Sequence, residues 1–144
     1  MKTKTVLAMA LCATIGLANF NLSSVYAADK DAHEEHAEGK MKIPDTAEGI
    51  FKAIHEHHVE LATTVKSKKL ADVHHHAFAI RDLANGLPAK VAADKKARVE
   101  GSVKNIAKLA DDLDKTGDAN NQAATEANLK KLDGVLMALE KQIK

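Results

Sequence analysis

The chain has 144 residues, one domain's length, and its 21 basic and 20 acidic side chains leave a net charge of +1. So even a balance provides no basic excess to hold nucleic acid or an anionic membrane surface. Aromatic residues make up 3% of the chain and tryptophan is absent, so stacking on bases, sugars or flat cofactors has little to work with and the core must come from Leu, Ile, Val and Ala.

Residues 1–27 read as a secretory signal peptide. Lys2 and Lys4 precede an apolar run from Val6 to about Leu17, and Val25 and Ala27 stand at the −3 and −1 positions of a cleavage site. The run is short for a membrane span, and Leu11 precedes Cys12 where a lipoprotein signal wants a small residue. The mature chain is then expected to start near Ala28, to be slightly acidic, and to lack cysteine. It is placed in the periplasm or outside the cell, with no membrane span.

Residues 28–42, "ADKDAHEEHAEGKMK", are charged, with Met41 the single large apolar side chain. Such a stretch buries too little surface to offset its ordering entropy, and is expected to be a flexible tail. Within it His33 and His36 lie three apart among Glu34, Glu35 and Glu38. That set can wrap a borderline divalent cation with two nitrogens and one or two carboxylate oxygens.

From Ile43 onward the pattern is helical. Pro44 and Asp45, with Glu48 three residues later, suggest a capped start, and Ile50, Ile54, Leu61 and Val65 form a stripe that runs to about Lys66. "KSKK" is a polar break. A second helix is expected from about Lys69, with Leu70, Val73, Ala77, Ile80 and Ala84 on its stripe, stopping at "NGLP". A third runs over about residues 94–115 on Val99, Val103, Ile106, Ala110 and Leu113. Gly117 is expected to break it and Asp118 to cap a fourth, whose seam is Leu129, Leu132, Leu136, Leu139 and Ile143. The fold class is all-α, an antiparallel up-down-up-down four-helix bundle over residues 43–144.

All eight histidines fall between His33 and His76. At about 100° per residue, His58 lies about 40° from the Ile54 stripe centre, His57 about 60° to the other side and His55 about 100° away. On the second helix, centred on Ala77, His74 lies about 60° off and inward, His76 on the flank and His75 outward. With the turn near Ser67 and Lys68, His58 and His74 are expected to meet and to share one metal ion or one hydrogen-bond network. His55 or Glu60, with residues near His76 such as Asp72, could complete a second, more exposed set. Arg81, on the stripe of His74, is expected to pair with a carboxylate or to attract an anion.

Imidazole and carboxylate suit Zn, Ni, Co or Cu(II), whereas Cu(I) would favour sulfur ligands. No H-E-x-x-H occurs: Val59 stands where the second histidine would be. Ser67 and Ser102 lie in polar contexts without a nucleophile elbow, and there is no glycine-rich phosphate loop. An enzyme is not expected.

The segment "LADDLDKTGDANNQAATEANLKKLDGVL" resembles the Ala-rich, short-turn helices of the periplasmic soluble cytochrome b and cytochrome c-prime bundles. The resemblance implies a four-helix architecture over residues 43–144. It does not bring haem with it, since the chain has no C-x-x-C-H and no histidine in its last helix; a His58/His74 axial pair is what remains. "DVHHHAFAIRDLANGLP" is similar to small exported proteins that accompany heavy-metal efflux systems, which implies a metal ion and an efflux or transport protein as partners. The function expected is therefore binding of a divalent transition metal for buffering, sensing or delivery, through His58 and His74, with His55, His57 and His76 nearby and His33 and His36 in the arm. The alternative is a structural or interaction module, chaperone- or adaptor-like, with no specific ligand.

Overall fold

A computed structural model describes residues 41–144. The expected signal peptide, and His33 and His36 of the expected tail, lie outside the described residues. Among those described, structure is all helical: α1 (Ala47–Lys66), η1 (Leu70–Asp72), α2 (Val73–Gly86), η2 (Leu87–Ala89), α3 (Ala93–Asp118) and α4 (Gln122–Ile143). Each long helix packs on the next in sequence, and α1 also touches α4. No helix among the described residues is long and apolar enough to cross a membrane.

The stripes expected on the first three helices are buried throughout. On α4, Leu132, Leu136, Leu139 and Ile143 are buried, whereas Leu129 is half-buried against the core. Ile54, Ile80, Leu113 and Leu139 have no exposed surface at all. Each of these large aliphatic side chains contributes roughly 1.5–3 kcal/mol of transfer free energy. Met41, two residues ahead of the expected start of the bundle, also packs against the core.

Local signals were displaced by a few residues. Thr46, not Asp45, caps α1, its hydroxyl oxygen accepting from the Gly49 N–H at 3.0 Å. The second helix does not start as α at Lys69: a 3-10 turn, Leu70–Asp72, comes first. Gly86 ends α2 with φ −77° instead of adopting a left-handed cap, and the chain continues as 3-10 structure through Pro88. Its value is space, since a Cβ there would lie 2.9 Å from the Ile43 side chain. Gly117 does not break α3, which runs on to Asp118; the left-handed residue is Asn120, with φ 49°. Asn121, not Asp118, caps α4 by accepting from the Ala124 N–H at 3.1 Å.

Polar ties join the helices. Ser102, expected in a polar context, is buried and donates to Gln142 Oε1 at 3.0 Å between α3 and α4. Gln122 at the start of α4 donates to the Val65 carbonyl near the end of α1 at 2.9 Å. Lys95 near the start of α3 reaches the Ile143 carbonyl at 3.4 Å.

Gly101 and Gly134 lie in mid-helix, exposed, and a Cβ at either would meet nothing within 4 Å. Gly101→Ala and Gly134→Ala are each expected to stabilise the protein by up to about 1 kcal/mol, because alanine loses less backbone entropy in a helix. Urea melts would register this as a higher midpoint at unchanged slope.

Candidate metal centre

Each helix in this arrangement has two neighbours, and the flank on which a histidine leaves its helix decides which one it meets. His57 leaves α1 toward α2. There Glu60, one turn along α1, and His76 of α2 converge with it: Glu60 Oε2 lies 3.4 Å from His57 Nδ1 and 3.2 Å from His76 Nδ1. The two imidazole centroids are 5.9 Å apart, and one ligand atom from each of the three residues falls within 4.8 Å of the others. Both imidazoles are half-buried, while the Glu60 side chain is 58% exposed. His57 Nδ1 is itself buried and has no hydrogen-bond partner. Its distance to Glu60 suits an ion pair, but the geometry is not that of a hydrogen bond.

His58 leaves α1 on the other flank, toward α4. It lines a groove of about 500 Å³ with Phe51, Ile54, His55, Leu136 and Met137 among its walls. His58 Nε2 is buried without a hydrogen-bond partner, 3.9 Å from Asp133 Oδ1 of α4, and the His55 ring lies 6.5 Å away. His74 turns toward α3, where its ligand atom groups with those of Asp114 and Asp118. Its ring is 3.9 Å from that of His75 and 6.3 Å from Phe78. The two histidines expected to meet thus face different neighbours, α4 and α3, and the pair brought together across α1 and α2 is His57 with His76. Arg81 does pair with carboxylates, Asp82 at 2.9 Å and Asp111 of α3 at 3.8 Å, and it lies 4.3 Å over the Phe78 ring.

Burial lowers the pKa of His58 and of His76 below the ordinary histidine value. Asp133 offsets part of this at His58, and Glu60 part of it at His76. For His76 the consequence is a neutral, ligand-competent imidazole at more acidic pH than a free histidine would allow. For the fold the sign is fixed by linkage. As pH falls below about 6.5 the unfolded chain takes up protons that the folded His58 and His76 resist. Their contribution is therefore full above that pH and is lost as pH drops toward the lowered folded values. Thermal melts from about pH 8 to about pH 5 should show a midpoint that falls as the pH drops. His58→Gln and His76→Gln should each flatten the slope.

Asp114 and Asp118 were missed from sequence, although their spacing of four on a long helix was a usable signal. Glu60 was legible only as a possible complement to an exposed set. In comparisons with known proteins, no family model, no curated protein and no solved structure matches the chain.

Proposed function

We propose that the chain binds a divalent transition metal as cargo, through His57, Glu60 and His76. The observation that carries this reading is one carboxylate oxygen standing 3.4 and 3.2 Å from an imidazole nitrogen on each of two helices. Two ligands about 2.0 Å from a tetrahedral ion are separated by about 3.3 Å, so Glu60 already has ligand spacing to both imidazoles. The buried, unpartnered His57 Nδ1 supports it too, since a metal would satisfy that lone pair.

Two imidazoles and a carboxylate suit Zn, Ni, Co or Cu(II). Three protein ligands with an exposed Glu60 leave a position open for water or a receiving ligand. That favours buffering or handing on over permanent structural binding. The reading includes export to the periplasm or beyond, with His33 and His36 as a capture arm and an efflux or transport protein as recipient. It involves no catalysis and needs no haem. The bundle order is inferred as antiparallel up-down-up-down, supported by the α4-start to α1-end and α3-start to α4-end ties.

The second reading, an interaction module without a specific ligand, is favoured by the α1–α4 groove, where Met137 is 58% exposed. Elemental analysis of protein purified without an affinity tag, followed by calorimetric titration with Zn, Ni, Co and Cu(II), separates the two. Stoichiometric metal or a saturable isotherm supports the first. Metal-free protein with no isotherm would hand the lead to the second.

A further inference from the structure

The run His74, His75, His76 cannot chelate one ion, because successive side chains on a helix point about 100° apart. His74 and His76 are about 200° apart around α2 and so leave it on opposite flanks. His76 meets Glu60 of α1. His74 meets α3, where one ligand atom each from His74, Asp114 and Asp118 all lie within 4.8 Å of one another. Asp114 and Asp118 are four apart and share a face of α3.

The contacts along this seam follow an order. His74 of α2 meets Asp114 and Asp118 of α3, Arg81 meets Asp111, and Phe78 lies near both His74 and Arg81. At one end the Arg81 guanidinium supplies positive charge to Asp111. At the other the His74 imidazole faces the carboxylates of Asp114 and Asp118, so that one nitrogen and two oxygens stand within reach of a single cation. The His75 ring, 3.9 Å from that of His74, limits how His74 can turn.

We infer that the histidine run serves two cation sites, one on each flank of α2, and that His74, Asp114 and Asp118 form the second. This site shares no residue with the one proposed above. One nitrogen and two carboxylate oxygens make a harder donor set than two imidazoles and one carboxylate, suited to Mn(II), Fe(II) or Zn(II) more than to Cu(II).

The test uses the full chain, untagged, carrying His33→Ala, His36→Ala, His57→Ala and His76→Ala. Mn(II) binding is followed by the loss of free-ion electron paramagnetic resonance signal, and Zn(II) binding by calorimetry. One equivalent should bind. Adding Asp114→Asn with Asp118→Asn, or His74→Gln alone, should weaken it by about a hundredfold or more, since even outer-shell changes cost 10–100-fold. Circular dichroism checks each variant, and His74→Gln decides if the paired aspartate change fails to fold. Absence of that equivalent, or its survival after both aspartates are replaced, would overturn the inference. Identical binding with His57 and His76 present or replaced would uphold this site while counting against the function proposed above.

Discussion

Gly117→Ala should lower the melting temperature, although alanine is the better helix former. Gly117 is buried inside α3, with no left-handed φ to explain it. A Cβ there would stand 2.7 Å from the Leu70 carbonyl oxygen and 3.4 Å from Val73 Cβ. The first contact is with backbone, which cannot swing aside, so η1 and the start of α2 would have to move away from α3. Such overpacking costs about 1–3 kcal/mol or more, against a propensity gain of about 1 kcal/mol. A net loss of up to about 2 kcal/mol corresponds to a drop of up to roughly 15 °C for a domain of this size. Gly101→Ala and Gly134→Ala are the internal controls, since both should move the other way. A Gly117→Ala protein that melts at or above the parent would mean that the approach of Leu70 to α3 does not constrain the fold.

That glycine also illustrates which parts of the fold were readable. Stripes of Leu, Ile, Val and Ala at helical spacing report burial, and these stripes are where the core lies. "KTGD" reads locally as a stop because glycine commonly follows a helix end. The physical need at Gly117 is instead a close crossing with Leu70, a residue 47 positions away in the chain. The actual turn uses Asn120, which tolerates the left-handed region at modest cost. Asp45 and Thr46 are both good caps side by side. Only the geometry of the first turn selects Thr46, whose hydroxyl oxygen accepts from Gly49.

The site was legible up to a sign. Periodicity gives the angle of a histidine from its buried stripe, and His57 and His58 lie on opposite sides of the Ile54 centre. Which side faces α2 depends on the side of α1 on which α2 packs, and no local pattern encodes that. In the fold as found, His57 and His76 turn toward each other, His58 turns to α4 and His74 to α3. Packing on the opposite side would have exchanged these partners. The donor types were therefore readable, as was their concentration in the first hairpin, but their pairing required the fold.

The pairing makes the remaining prediction specific. In a full chain carrying His33→Ala and His36→Ala, either His57→Ala or His76→Ala should weaken Zn(II) at the α1–α2 site by about a hundredfold or more, because one imidazole cannot reproduce a chelate. The double change should cost little more than either single one, as expected for partners in one site. Glu60→Gln should also weaken binding, through loss of the carboxylate oxygen between the two imidazoles. His58→Ala should leave it unchanged, since His58 lies in the α1–α4 groove. Thermal melts provide a second readout. A ligand at 100 times its Kd stabilises the folded state by about 2.7 kcal/mol, or upward of about 10 °C here. With Asp114→Asn and Asp118→Asn added to silence the α2–α3 group, the parent should show this rise and the His57 and His76 variants should lose most of it. A rise lost on His58→Ala and kept on His57→Ala would move the metal to the α4 side of α1, and the Glu60 geometry would then be an ordinary ion pair.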